Sequence, residues 1–137
     1  MKVLIKQAKI IDSSSEYHGE VRDILISNGK IENIAKQIKS SDTKITEISS
    51  KNLHISKGWI DLKAHFCDPG NEYKETLPSG LDNAAVGGFT NVAVLHSTNP
   101  VVDHKSLIEY VSRKTEGHAV SVIPMACITK SMKGQEL

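Results

Sequence analysis

Asp61, Lys63, His65 and Cys67 stand two apart in the stretch Gly58-Trp59-Ile60-Asp61-Leu62-Lys63-Ala64-His65-Phe66-Cys67-Asp68-Pro69-Gly70. Apolar Trp59, Ile60 and Leu62 open it and Asp-Pro-Gly closes it. That pattern predicts a buried strand running into a polar, turn-rich loop. Alternate side chains of a strand share a face, so the four polar groups point the same way. On a core strand they are costly unless they bind something or pair with one another. An imidazole and a thiol can ligate a metal, and a thiol beside a base can be a nucleophile. An ammonium has donors only, so Lys63 cannot ligate; it is expected to pair with a carboxylate, Asp61 being one candidate. Blander readings stand beside these. A lone strand histidine is usually a hydrogen-bonded core residue, Lys63 could snorkel to solvent, and an i, i+2 spacing does not by itself make His65 a base for Cys67. His96 and Cys127 also fall near strand ends, and a mixed Cys/His zinc site can be drawn from them, but no spacing marks it out. Ser97 lies in no nucleophile elbow.

Two textures of chain must position these groups. Residues 1–56 are rich in Ile, Ser and Lys, with short alternating runs at 3–5, 8–11, 21–26, 30–34 and 44–48. Asn28-Gly29 between two of them is a hairpin signal, and the segment reads as a small antiparallel β unit. From residue 57 the order becomes strand, helix, strand, helix, strand. Strands are expected over 59–66, 90–95 and 120–126. One helix is expected over 76–86, capped by Thr76, with Pro78 in its first turn and Gly87-Gly88 at its end. A second, capped by Asp103, runs to about residue 115. Apolar strands alternating with helices predict a parallel sheet with crossover helices, an α/β architecture. Three strands and two crossovers leave a sheet edge open, so the sequence reads as the first part of a larger α/β protein.

The chain has 137 residues, of which 39% are hydrophobic and 24% charged, with a formal net charge of +1. Scattered lysines without interleaved aromatics argue for no nucleic-acid or anionic-membrane partner. No apolar run approaches the roughly 20 residues of a membrane span, and Lys6 interrupts the N-terminus before a signal-peptide core could form. Two cysteines make no disulfide framework. A cytoplasmic protein with reduced thiols is expected.

Gly58-Trp59-Ile60-Asp61-Leu62, Asp68-Pro69-Gly70-Asn71-Glu72-Tyr73-Lys74-Glu75-Thr76, Ala84-Ala85-Val86-Gly87-Gly88-Phe89-Thr90 and Thr98-Asn99-Pro100-Val101-Val102-Asp103 resemble, in order and spacing, the start of a dihydroorotase of the amidohydrolase superfamily. The resemblance implies the first three βα units of a TIM-type (β/α)₈ barrel in a chain of roughly 400 residues, plus a small β-sandwich built from both chain ends. It implies pyrimidine biosynthesis, through reversible cyclisation of carbamoyl-aspartate to dihydroorotate. It also implies zinc, which generates a hydroxide and polarises the amide carbonyl. The family's first strand ends in His-x-His-x-Arg: two metal ligands and a clamp for the substrate carboxylate. Here those positions hold Lys63, His65 and Cys67, and a later carboxylate-binding asparagine is matched by Ser97. The family's other ligands and its catalytic aspartate would lie beyond Leu137. Glu72, Lys74 and Glu75 match a loop block and are expected to order the barrel mouth by ion pairs and capping. The departures predict a degenerate member without zinc and without catalytic residues. Its role would be structural, beside aspartate transcarbamoylase or another copy of itself. The alternative is a working amidohydrolase on a small cyclic amide with a modified metal site.

Overall fold

The computed structural model describes residues 1–40 and 43–137. The chain divides into two compact units, Met1–Lys57 and Gly58–Leu137.

In the first unit β1 (Lys2–Ile10) is the central strand. It pairs antiparallel with β2 (Val21–Ser27), which pairs antiparallel with β3 (Lys30–Ala35). Asn28 and Gly29 join β2 to β3 with φ of 49° and 75°, the two positive values that a tight primed turn requires. On its other side β1 takes β4 (Ile45–Ile48) and then β5 (His54–Ile55), both parallel. The antiparallel unit expected from sequence is thus a mixed sheet. Turn chemistry signals hairpins, whereas parallel neighbours arrive by longer connections with no short signature. The runs 3–5 and 8–11 form one strand with a register shift at Gln7, whose φ is 50°. Asp23, fully buried, fills that irregularity. It accepts the Gln7 N–H at 2.9 Å, the Ile38 N–H at 2.9 Å and the Lys6 ammonium at 3.0 Å. Burial pushes its carboxyl up, but the Ile38 and Gln7 N–H groups and Lys6 outweigh burial and hold the pKa at about 2.

In the second unit β6 (Trp59–Ala64), β7 (Phe89–Val94) and β8 (Ser121–Pro124) form a parallel sheet in that order. α1 (Leu77–Val86) and α2 (Lys105–Lys114) are the crossovers. Thr76 caps α1, its hydroxyl accepting the Ser79 N–H at 3.3 Å. Gly88, at φ 81°, takes the chain from the end of α1 into β7. α2 starts one residue later than expected. His104 is its N-cap residue, and Asp103 instead pairs with the His104 ring at 2.7 Å and accepts the Ser131 N–H at 2.9 Å. The core joins Leu77 and Leu81 of α1, Val92 and Val94 of β7, Val111 of α2 and Val120, with Ala64 and Phe66 packed against it.

β6 corrects one expectation. Trp59, Ile60 and Leu62 are 62%, 58% and 73% exposed, so this is not a buried strand. It lies at the sheet edge, and the helices pack against β7 and β8. Its apolar residues suit burial that the residues described do not provide.

Candidate functional site

Parallel strands bring their C-terminal ends to one side of a sheet, where βα loops can build a site. Here that side gathers residues 65–70 after β6, 96–102 after β7 and 125–129 after β8. The loops brace one another. The Asn99 N–H donates to the Pro69 carbonyl at 3.1 Å, and the Cys127 N–H to the Val102 carbonyl at 2.8 Å. Gly70, at φ 99°, lies so close to the second loop that a Cβ there would sit 1.8 Å from the Asn99 carbonyl oxygen.

His65 has both ring nitrogens engaged. Nε2 is 2.9 Å from the Ser97 carbonyl oxygen and Nδ1 is 3.2 Å from Cys67 Sγ. A carbonyl oxygen only accepts, so Nε2 carries a hydrogen; in the neutral ring Nδ1 then accepts from the thiol. The sequence stretch thus brings His65 and Cys67 together. Their meeting does not depend on a continued pleat, because β6 ends at Ala64 and Cys67 has φ 63°. Ser97 joins them through its carbonyl and not its hydroxyl.

Lys63 is not brought into the group. Its backbone N–H donates to Asp61 Oδ1 at 2.9 Å, and its ammonium makes no ion pair among the described residues. The expected pairing with Asp61 is absent because the carboxylate turns back onto the backbone. His96 and Cys127 line one open concavity of about 410 Å³ with Met125, Ile128, Thr129 and Met132. His96 Nδ1 is buried without a partner among the described residues. Burial and nearby Asp103 push the Cys127 thiol above its usual range. Glu72 accepts the Gly70 N–H at 2.9 Å and Glu75 the Thr76 N–H at 3.2 Å, which orders the loop. Lys74 lies over the Tyr73 ring at 5.5 Å instead of in an ion pair.

These residues do not fit a metal ion. No group of three His, Cys, Asp or Glu is placed to hold one among the described residues. Lys63 offers no lone pair as a cation, and both nitrogens of His65 already have partners.

Asp68 is the residue that reasoning from sequence missed. Read there as part of a turn, its carboxylate is fully buried. Oδ2 accepts the Leu77 N–H at 3.0 Å and the Lys114 ammonium at 2.8 Å, and Oδ1 accepts the Tyr110 hydroxyl at 2.8 Å. Burial pushes its carboxyl up, but the Leu77 N–H, Lys114 and Tyr110 outweigh it and leave the pKa below the usual value. The Lys114 ammonium keeps its proton more tightly than usual: burial opposes the charge, and Asp68 and Tyr110 prevail. The available signal was the i, i+4 placement of Tyr110 and Lys114 on one face of α2.

The comparisons with known proteins agree with this architecture. A family model described as Dihydro-orotase-like matches residues 53–137. The dihydroorotase of Aquifex aeolicus is 38% identical over 138 residues, covering 100% of this chain and 32% of that protein. The chain therefore spans about a third of the length of such relatives. A D-hydantoinase crystal structure superposes with a TM-score of 0.68 at 26% identity, covering 96% of this chain and 29% of that one. A crystal structure of a dihydroorotase superposes at 0.62 with 18% identity, covering 91% and 31%. An N-terminal mixed sheet followed by parallel βα units, together with a family match over most of its length, places this chain in the dihydroorotase-like family of the amidohydrolase superfamily, as its N-terminal portion.

Proposed function

We propose that this chain is the opening segment of a dihydroorotase-fold protein that keeps the scaffold but not the family's metal chemistry at its first strand, and that serves as a structural partner instead of a catalyst. One observation carries the reading. The ring of His65, the retained ligand position, is held at both nitrogens by Ser97 and Cys67, while a cation stands at the neighbouring ligand position as Lys63. Zinc at either nitrogen of His65 would have to displace the hydrogen bond that nitrogen makes, and the neighbouring ligand position offers no lone pair, since Lys63 is an ammonium with donors only. Cys67 at the clamp position offers no bidentate partner for a substrate carboxylate. The partner in this reading is aspartate transcarbamoylase or another copy of the same protein.

The test is a dihydroorotase assay on the gene product that contains this chain, with zinc supplied, beside a Lys63→His, Cys67→Arg double variant. The expected result is no turnover above background for the wild type, with no bound zinc by elemental analysis. Wild-type turnover with stoichiometric zinc would instead establish the second reading, a working amidohydrolase on a cyclic amide with an altered metal site. The retained imidazole of His65 is what favours that alternative.

A further inference from the structure

We infer that Tyr110 and Lys114 of α2 are positioning residues for the strand-end site: they grip the buried carboxylate of Asp68 and through it fix the loop that carries His65 and Cys67. The inference concerns the conformation of the candidate site at the strand ends and does not depend on the structural-partner role proposed above.

Asp68 follows Cys67 directly, so its carboxylate can fix the backbone one residue from the thiol and three from the imidazole. Three donors from two helices converge on it. The Leu77 N–H comes from the start of α1, and Tyr110 and Lys114 come from α2, more than forty positions along the chain. The two α2 side chains are linked, since the Lys114 ammonium also donates to the Tyr110 hydroxyl at 2.7 Å. A buried carboxylate with several fixed donors has few orientations open to it. Losing one donor leaves charge unsatisfied, so the group must move toward water or toward another partner. Movement of Asp68 would be felt at Cys67, because the loop is pinned on its far side. There Pro69 and Gly70 press against Asn99, and His65 holds Ser97. The Lys114 side chain is 32% exposed and Tyr110 is half-buried, so solvent reaches the α2 side of the cluster while the Asp68 carboxylate stays buried. A carboxylate held in this way is weak as a source of stability, since a well-packed apolar replacement is often as good. What it supplies is direction.

The experiment uses the gene product that contains this chain as wild type, Tyr110→Phe, Lys114→Met, Lys114→Arg and, as a control on the exposed face of the same helix, Lys105→Met. Two readouts are taken on folded protein. One is the ring ¹⁵N spectrum of His65, which reports its tautomer. The other is the ratio of Cys67 to Cys127 alkylation by iodoacetamide, read by peptide mass spectrometry. In that alkylation the sulfur forms a bond to carbon, iodide leaves, and the thiol proton passes to solvent or His65. The wild type is expected to show the Nε2–H tautomer. Lys114→Met and Tyr110→Phe should change the labelling ratio by about fivefold, the factor that the net free energy of one hydrogen bond carries. They should also release the fixed tautomer. Lys114→Arg, which keeps a donor to Asp68, should restore both readouts, and Lys105→Met should leave both unchanged. If Lys114→Met and Tyr110→Phe lower the urea midpoint yet keep the wild-type ratio and tautomer, the cluster is a structural fastening only and the inference is overturned. Should Lys114→Met not fold, Tyr110→Phe decides by the same readouts, because it removes one hydrogen bond and keeps the ring. A wild-type spectrum without the Nε2–H tautomer would overturn the site geometry itself, a separate failure from that of α2.

Discussion

Gly80→Ala tests the packing behind the site, and two effects of opposite sign compete there. Gly80 lies inside α1, its N–H donating to the Thr76 carbonyl at 2.9 Å. In an exposed helix interior, alanine in place of glycine is worth about 1 kcal/mol. Here a Cβ would meet the Phe66 ring at 2.4, 2.6 and 2.7 Å from its Cδ1, Cγ and Cε1 atoms. Those separations are far inside van der Waals contact, and Phe66 sits between His65 and Cys67 with its ring against the core. The ring or the helix must shift. Overpacking of this kind costs roughly 1–3 kcal/mol, so the clash wins and Gly80→Ala should destabilise by about 1 kcal/mol net. In a Phe66→Leu background the ring is gone and the sign should reverse, leaving the propensity gain. A double-mutant cycle by urea unfolding therefore carries a coupling of about 2 kcal/mol. Equal effects of Gly80→Ala in both backgrounds, or stabilisation in the wild type, would refute the claim that this glycine exists to admit Phe66.

Three further outcomes are expected. Gly70→Ala combines a backbone at φ 99° with a Cβ placed 1.8 Å from the Asn99 carbonyl oxygen, so it should cost at least about 3 kcal/mol and speed hydrogen exchange at the Asn99 amide. Thr76→Ala removes the side-chain acceptor of the α1 N-cap and should lower stability by about 1 kcal/mol, read from the urea midpoint at constant slope. Asp23 titrates at about 2 when folded against 3.8 unpaired, so its contribution is fully present above 3.8 and is lost as pH falls through about 2. That contribution is about 2 kcal/mol near neutrality, and Asp23→Asn should flatten the stability curve between those two pH values; parallel curves for variant and wild type would contradict it.

Local signals carried much of the fold. Asn28-Gly29 marked its hairpin because few residues adopt two positive φ values in succession. Thr76 and Pro78 marked the start of α1, since capping depends on neighbours within four residues. Strand-helix alternation marked the parallel sheet of the second unit. What stayed hidden was long-range. The parallel docking of β4 and β5 on β1, and the exposure of Trp59, Ile60 and Leu62 on an edge strand, depend on which elements become neighbours. Asp103 looked like a cap and serves elsewhere, held by Ser131 twenty-eight positions away.

At the candidate site the same division holds. Residue types and their spacing in the four blocks between Gly58 and Asp103 were enough to place the chain in its family and to show that Lys63, Cys67 and Ser97 depart from the family's pattern, because those are facts about identity and order. Tertiary structure alone decided what the residues do with one another. It closed His65 onto Cys67 and the Ser97 carbonyl, left the Lys63 ammonium without an ion pair among the described residues, and made Asp68 a buried anion held by α1 and α2. Hydrogen-bond partners are set by separations of a few tenths of an ångström between groups far apart in the chain, and no local pattern of side chains encodes those distances.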